Sequence, residues 1–238
     1  SIQQLKSKAR RIAGSNSPVL VYGETGTGKE LLVQAIHNSD PKRKNKPFIA
    51  QNCAALPFTL LESILFGTAE GSFTGAKDNP GLFELAHGGT LYLDEVNSLN
   101  TELQAKLLRV IQDGVVRRVG AAKTKDVDVR IIASTNEHPE ELVKKKLLRE
   151  DLYYRLNVIY LELPPLRERK EDIDALVKHF IDRNNESLGK KVTGASEEVI
   201  KVFEEYPWPG NVRELEHLVE STMNLTDKKI ISLEDVQH

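Results

Sequence analysis

The sequence predicts an α/β protein in which a parallel sheet is flanked by helices and followed by a smaller helical part. Short apolar runs alternate with helix-like patterns up to about residue 165. Polar residues collect where several of these runs end, as expected at the carboxyl edge of a parallel sheet. Beyond residue 165 no strand-like run is evident, and apolar residues recur at helical spacing instead.

The predicted elements follow one another in a regular order. Strand-like runs occupy 18–23, 48–54, 88–95, 115–120, 127–136 and 157–165. Helical patterns occupy 1–13, 29–37 and a stretch that ends at Gly114. The apolar face of that third helix comprises Leu103, Leu107, Val110 and Ile111. After two prolines at 164 and 165, we expect the chain to divide into an α/β part over 1–166 and a helical part over 167–238.

Composition narrows the class of protein. The 33 basic and 35 acidic residues give a net charge of −2, which argues against a DNA interface over the whole surface while leaving a local patch open. We expect the basic run "PKRKNKP" to be simply solvated. The one cysteine excludes an internal disulfide and fits a reducing cytoplasm. No apolar run approaches the about 18 residues of a membrane span, so we expect a cytoplasmic protein without a membrane partner.

The stretch "GETGTGK" fits the phosphate-binding pattern G-x-x-x-x-G-K between a predicted strand and a predicted helix. Glycines let backbone N–H groups turn toward phosphate oxygens, and the lysine reaches the β- and γ-phosphates. That context disfavours a glycine-rich turn with an incidental lysine. The nucleotide-binding residues predicted here are Gly23, Glu24, Thr25, Gly26, Thr27, Gly28, Lys29 and Glu30. Glu30 stands where Ser or Thr usually binds Mg²⁺, so the metal needs ligands from elsewhere.

Asp94 and Glu95 end a predicted buried strand and are the candidate Mg²⁺ ligands. Alone, such a pair is as often two surface turn residues. Beside a phosphate loop, one carboxylate can hold the metal while its neighbour polarises the attacking water. The second acid therefore indicates ATP hydrolysis rather than binding alone.

Two other polar pairs leave alternatives open. Thr135 and Asn136 end the next strand, where they could sense a γ-phosphate, or Asn136 could cap the following helix. Arg149 and Arg155 lie six residues apart, and spacing alone favours surface ion pairs with the acids at 150 and 151.

Arg213 lies in "PWPGNVRELEHL", where we expect Asn211 to cap a helix and Glu214 to complete a capping box. This places Arg213 in the first helical turn. A cation there is mildly unfavourable for the helix dipole, which favours a role in binding phosphate.

The stretch "EGSFTGAKDNPG" holds Phe73 between Gly71 and Gly75. Glycines give an aromatic ring no fixed position, so this segment is poorly suited to a core. It predicts a mobile loop that presents the ring.

Together these motifs resemble the AAA+ domain of bacterial enhancer-binding proteins, the activators of sigma-54 RNA polymerase. The resemblance covers nearly the whole chain, and "GSFTGA" is similar to the GAFTGA loop that is found essentially only in this family. The sequence around 51–93 is similar to that of arginine-utilisation regulators of Gram-positive bacteria. The matching motifs are "GETGTGKE", "QNCAAL", "ESILFG", "GSFTGA", "GGTLYLDEV", "LREDLYYRLNV", "LPPLRERKEDI" and "WPGNVREL".

The resemblance implies a role for each site residue. Lys29 would belong to Walker A, where this family also has Glu at the position of Glu30, and Asp94 with Glu95 would form Walker B. Asn52 would restrain the catalytic glutamate, Thr135 and Asn136 would form sensor I, and Arg213 would be sensor II. Arg149 and Arg155 would reach the ATP of the neighbouring subunit. The sigma-54 contacts would be Gly71, Ser72, Phe73, Thr74, Gly75 and Ala76.

The implied protein is a Mg²⁺-dependent ATPase that forms a hexameric ring, built directly or from dimers, and remodels sigma-54 in the RNA polymerase holoenzyme. Enhancer DNA would be bound only through a helix-turn-helix domain outside this chain, and the signal-receiving domain would also lie outside it. Departures from the family pattern at Ile64, Thr68, Ser72 and Leu148 bear on how the loop is coupled to nucleotide. The alternatives are a nucleotide-gated binding module, a direct DNA-binding regulator and another AAA+ machine.

Overall fold

A computed structural model describes residues 2–71 and 77–236 of the chain. The chain forms two compact units. The sheet unit contains residues 3–23 and 29–162, and the helical unit contains residues 24–28 and 163–236. Residues 24–28, the centre of the predicted phosphate-binding stretch, thus group with the helical unit, although the residues on both sides of them in the chain belong to the sheet unit.

The sheet unit is built around five parallel strands in the order β2-β5-β8-β1-β9. These are β1 (Val19–Tyr22), β2 (Phe48–Asn52), β5 (Thr90–Asp94), β8 (Arg130–Thr135) and β9 (Ile159–Glu162). Short antiparallel pairs are formed by β3 (Gly67–Thr68) with β4 (Asn79–Pro80) and by β6 (Val115–Arg117) with β7 (Thr124–Asp126). Its helices are α1 (Ile2–Ile12), α2 (Lys29–Asn38), α3 (Phe58–Phe66), α4 (Leu82–Leu85), α5 (Thr101–Asp113), α6 (Pro139–Lys144) and α7 (Glu150–Leu156).

The central strands form because continuous apolar runs suit a sheet that is covered on both faces. Leu20, Leu91, Leu93 and Ala133 are fully buried in the core of this unit. The predicted α/β class is confirmed, and the predicted runs that begin at 18, 48, 88, 127 and 157 each contain one central strand. The run over 115–120, predicted to be a short strand or a hairpin arm, contains β6, one arm of a separate hairpin.

The helical unit contains α8 (Ile173–Leu188), α9 (Glu197–Glu205) and α10 (Asn211–Leu225), with short 3-10 turns at Leu166–Glu168, Lys170–Asp172 and Leu233–Val236. Its core surrounds Trp208, whose indole N–H donates to the Phe203 carbonyl at 2.6 Å and whose ring meets the Phe203 ring edge-on.

The prediction that no strand lies beyond residue 165 was wrong. β10 (Gly194–Ala195) pairs in parallel with β11 (Ile230–Ile231). Two-residue strands are too short to show the alternation by which a strand is recognised in sequence.

A buried polar cluster lies at the amino edge of the central sheet; we call His37, Asp40, Arg43 and Arg130 the amino-edge cluster. Arg130 is fully buried and donates to Asp40 at 3.3 Å and to the Ile12 carbonyl, the last residue of α1, at 2.9 Å. Arg43 donates to the Gly89 carbonyl at 2.9 Å and to Asp128 at 2.6 Å. His37 shares a 2.9 Å hydrogen bond with Thr90, and burial lowers the pKa of its imidazole. This cluster ties α1 and the 40–43 turn to the first residues of the strands.

Candidate functional site

A second polar cluster lies at the carboxyl edge of the sheet unit and contains the predicted Walker B acids. We call Asn52, Tyr92, Asp94, Glu95 and Ser134 the carboxyl-edge cluster. Oδ1 of Asp94 accepts hydrogen bonds from the Tyr92 hydroxyl at 2.9 Å and from the Ser134 hydroxyl. Oδ2 of Asp94 accepts from the Asn52 amide at 3.4 Å. Three strands, β2, β5 and β8, therefore meet at this carboxylate.

Glu95 follows β5 in the left-handed backbone region, at φ 55°. This conformation costs a residue with a side chain about 1–2 kcal/mol. Its backbone N–H is held by the Ser134 hydroxyl at 3.2 Å. Its carboxylate has no hydrogen-bond or ion-pair partner among the residues that the structure describes. Strain at the backbone thus accompanies a side chain free to act on a ligand.

Thr135 and Asn136 continue the same edge from β8. The Thr135 hydroxyl is buried and lacks a hydrogen-bond partner within the described parts of the chain. Asn136 accepts from the Asn97 amide at 3.4 Å. The alternative in which Asn136 caps the next helix was wrong, because His138 occupies the N-cap position of α6 and no side chain caps it.

Lys29 begins α2 and is buried apart from 7% of its surface. Its ammonium group donates to the Gly23 carbonyl at 2.7 Å, and the Gly23 N–H donates to the Thr135 carbonyl at 3.3 Å. Lys29 thus lies at a helix N-terminus, where backbone N–H groups favour an anion.

The phosphate loop, residues 24–28, is held by arginines of the helical unit. Arg167 makes a bidentate ion pair with Glu24, with contacts of 2.8 and 2.5 Å, and lowers the pKa of that carboxyl. Arg169 donates to the Thr27 carbonyl at 2.7 Å. Burial lowers the pKa of Arg169. The role of neither arginine was predicted from the sequence, because no local pattern links residues 167 and 169 to a loop about 140 positions earlier.

Asn211 and Arg213 reach the same loop from α10. The Asn211 amide donates to Glu24 at 3.2 Å and to the Thr25 carbonyl at 3.1 Å, and its oxygen accepts from the Leu166 N–H at 2.8 Å. The backbone N–H of Arg213 donates to the Gly26 carbonyl at 3.2 Å. The Arg213 guanidinium is exposed and has no partner among the described residues.

The capping box predicted at this helix was half right. Gly210 is the N-cap of α10, and Glu214 accepts from the Gly210 N–H at 2.8 Å, as a capping-box acid does. The predicted cap by Asn211 was wrong, since its side chain binds the phosphate loop and Leu166 instead.

Two loop glycines have backbone conformations that other residues adopt at a cost. Gly26 and Gly28 have φ of +80° and +97°. A Cβ on Gly26 would lie 2.3 Å from the Gly210 carbonyl oxygen, whereas a Cβ on Gly28 would meet nothing within 4 Å. Gly26 is therefore required for packing within the helical unit as well as for its φ.

Arg149 and Arg155 frame α7 in the sheet unit. Arg149 pairs with Asp151 through contacts of 3.0 and 2.7 Å, so the interpretation as a surface ion pair is confirmed for this residue. Arg155 is exposed and forms no ion pair within residues 2–71 and 77–236.

Ser72, Phe73, Thr74, Gly75 and Ala76 lie outside the described residues, so the predictions for this loop are not examined by the structure. The segment's base is described. The Thr68 hydroxyl donates to the Lys77 carbonyl at 2.7 Å. Arg118 contacts Asp78 at 2.7 Å and Glu84 at 2.6 Å, and with Lys125 it lowers the pKa of Glu84 to about 2.

The residues present fit nucleotide and Mg²⁺. Gly28 leaves open space beside the loop backbone, Lys29 starts a helix, and Asp94 is an oriented carboxylate. In the described part of the chain, no three His, Cys, Asp or Glu side chains gather as a closed metal site. Mg²⁺ typically takes one or two carboxylates together with substrate phosphates and water, which matches this donor set.

The sheet order, the phosphate loop and the helical unit together define the AAA+ class of P-loop proteins. The chain belongs to the sigma-54 interaction domain family, whose model matches residues 1–162, and an AAA+ ATPase lid domain matches residues 167–238. Among the described residues, no helix has the length and apolar character needed to cross a membrane.

Curated relatives agree with this family. The transcriptional activator RocR of Bacillus subtilis is 55% identical over 98% of this chain and 50% of its own length. The phenol regulator MopR of Acinetobacter guillouiae is 49% identical over 92% of this chain and 39% of its length. The chain thus spans half or less of these relatives.

Solved structures show the same fold. NtrX of Brucella abortus in complex with ADP superposes with a TM-score of 0.89 at 36% identity, over 99% of this chain and 52% of that one. NtrX in complex with ATP gives 0.88, also at 36%, over 99% of this chain and 54% of that one. Hsp104 matches with a TM-score of 0.68 at 19% identity over 93% of this chain and 43% of its own, which shows the fold alone.

Proposed function

We propose that the chain is a Mg²⁺-dependent ATPase that drives open-complex formation by sigma-54 RNA polymerase. The observation that carries the proposal is the carboxyl-edge cluster, where three partners orient Asp94 while the Glu95 carboxylate has no partner among the residues that the structure describes. ATP-bound and ADP-bound structures of NtrX support nucleotide binding by relatives of this fold.

Lys29 and the N–H groups of residues 23–28 bind the phosphates. Asp94 and Glu95 would hold Mg²⁺ through their carboxylates. When bound, the metal supplies positive charge that neutralises phosphate oxygens. Glu95 orients and polarises the attacking water. Asn52 restrains Glu95 by holding the adjacent Asp94. Thr135 and Asn136 act as sensor I, and Arg213 as sensor II, whose free guanidinium lies on the helix that contacts the loop.

Arg149 and Arg155 act on the ATP of a neighbouring subunit in a hexameric ring. A trans-acting arginine can contribute about 10³–10⁵ in rate. Arg155 is exposed without an ion pair in the described chain, and Arg149 is held only by the nearby Asp151, so exchange to a phosphate is chemically accessible.

The loop 71–76 contacts sigma-54 in the holoenzyme, with Phe73 and Thr74 as the contact residues. The described base supports coupling of this loop to the hairpin β6–β7. Arg118, beside the hairpin, contacts both Asp78 and Glu84, and the Ala69 N–H donates to the Val119 carbonyl at 3.0 Å.

Hydrolysis is tested with Glu95→Ala. We expect ATP binding to persist while turnover falls by about 10²–10⁴-fold, the usual contribution of a general base. Glu140→Ala, which removes an exposed glutamate in the same unit, should leave turnover unchanged. Turnover that persists in Glu95→Ala would show that the water-polarising residue is another.

The sigma-54 contact is tested with Thr74→Ala. Turnover should survive, while binding to sigma-54 in the presence of an ATP transition-state mimic should be lost. Loss of both together would mean that the loop has a structural role instead.

A further inference from the structure

Two buried hydroxyl groups lie directly behind Asp94. Tyr92 is on β5 and Ser134 is on β8, and the side chains are 1% and 0% exposed. The Tyr92 hydroxyl lies 2.9 Å from Oδ1 of Asp94 and 3.1 Å from the Ser134 hydroxyl. The Ser134 hydroxyl also contacts Oδ1 of Asp94 and lies 3.2 Å from the Glu95 backbone nitrogen.

The donors in this triangle follow from elementary chemistry. An ionised carboxylate only accepts hydrogen bonds, so the hydroxyls must be the donors toward Asp94. After donating its proton, the Ser134 oxygen still has lone pairs, and it accepts the N–H of Glu95. One serine hydroxyl therefore fixes both the side chain of Asp94 and the strained backbone of Glu95.

We propose that Tyr92 and Ser134 are positioning residues that keep Oδ1 of Asp94 turned inward and thereby leave Oδ2 to the metal. The inference rests on the proposed ATPase function. Oδ2 has a single long contact with Asn52 within the described chain, so it is the less committed oxygen.

A purely structural role would not require these hydroxyls. Phenylalanine would fill the volume of Tyr92, and alanine nearly that of Ser134, without burying a polar group that must be satisfied. Among the described residues, both hydroxyls form hydrogen bonds only with each other and with Asp94 and Glu95. Groups that hold a metal ligand in this way commonly change metal affinity about 10–100-fold when removed.

The test measures how nucleotide affinity depends on Mg²⁺ concentration for Tyr92→Phe, Ser134→Ala and the double variant. Binding of a fluorescent ATP analogue is the readout, so the test does not depend on ATP turnover. We expect the half-saturating Mg²⁺ concentration to rise about 10-fold for Ser134→Ala and several-fold for Tyr92→Phe. Affinity in EDTA should stay at the parent value. Because both hydroxyls share one oxygen, the two effects should not add.

Tyr160→Phe is the matched control. Its hydroxyl is buried in the same sheet and has no hydrogen-bond partner in the described chain, so its removal should not change the Mg²⁺ dependence. Circular dichroism and thermal unfolding establish folding, and if Ser134→Ala does not fold, Tyr92→Phe decides the question.

An unchanged Mg²⁺ dependence in both variants would overturn the inference, as would equal losses with Mg²⁺ and with EDTA. Asp94→Asn separates this failure from failure of the proposed function. As a single substitution, Asp94→Asn should abolish the dependence of nucleotide affinity on Mg²⁺. If it does not, the metal role of Asp94 is wrong, and both proposals fall.

Discussion

The two edges of the central sheet both bury polar side chains, but they satisfy them differently. In the amino-edge cluster, Arg130 and Arg43 are paired with Asp40, Asp128 and backbone carbonyls. At the carboxyl edge, Asp94 is surrounded by donors, yet the Glu95 carboxylate and the Thr135 hydroxyl have no partner in the described chain. The first arrangement joins α1 and a turn to the sheet, and the second leaves polar groups without a partner in the described chain, as the proposed ATPase site requires.

The two clusters should therefore contribute free energy to different processes, the first to folding and the second to function. A buried charge that loses its partner destabilises the fold, because its desolvation is no longer offset. A carboxylate without a protein partner contributes little to folding, so its removal should affect function alone. The amino edge should therefore be sensitive in unfolding experiments and the carboxyl edge in turnover.

Asp40→Ala should produce the largest change. It leaves the buried Arg130 without its carboxylate, and losses of this kind cost about 3–5 kcal/mol in unfolding free energy. Urea unfolding monitored by circular dichroism measures it. Glu137→Ala is the control, since its ion pair with Lys145 is at the surface, with both side chains about half exposed, and its loss should cost less than about 1 kcal/mol. Equal effects would mean that burial does not distinguish the two acids.

The base of the loop provides a pH-dependent case between these extremes. Folding depresses the pKa of Glu84 from 4.5 to about 2, chiefly through Arg118. A depressed pKa stabilises the folded state above pH 4.5, and that stability is lost as pH falls toward 2. In Arg118→Ala the unfolding free energy should fall less over this window. Arg117→Ala, at the exposed neighbouring residue, should behave as the parent does. A parent-like pH profile in Arg118→Ala would contradict this assignment.

Glu95→Gln should change stability by less than about 0.5 kcal/mol, although it lies in the candidate site. Its carboxylate has no hydrogen-bond or ion-pair partner in the described chain, and glutamine keeps the backbone strain. Denaturant unfolding measures the stability of the variant, and a phosphate-release assay measures its turnover. A large loss of stability would contradict the inference that the carboxyl edge contributes little to folding.

Arg149→Ala should have the smallest effect on folding. Its ion pair with Asp151 is at the surface and spans two positions, so the unfolding midpoint should stay within error. ATP turnover at ring-forming concentrations should nevertheless fall steeply. Retained turnover would remove Arg149 from the proposed trans site.

Local sequence patterns predicted much of the fold but fewer of the contacts in the candidate site. The central strands were predictable because a sheet covered on both faces needs continuous apolar runs, such as the run ending at Asp94. The pairs β3–β4 and β10–β11 were not, because two residues show no period. Asn211 was assigned to a cap from its neighbours, whereas its actual partner Glu24 is 187 positions away. Tyr92 counted as one more apolar strand residue, and only the positions of β5 and β8 reveal its hydroxyl's partners.

Gly26 has a consequence for how this domain can be recombined. In the pattern G-x-x-x-x-G-K it occupies a free position, so the motif alone would allow any residue. Here its missing Cβ makes room for the Gly210 carbonyl of the helical unit. The residue at position 26 must therefore match the backbone around Gly210: in a chimera that exchanges residues 163–238 for those of a relative, we expect any residue other than glycine at position 26 to clash if the new backbone approaches as Gly210 does.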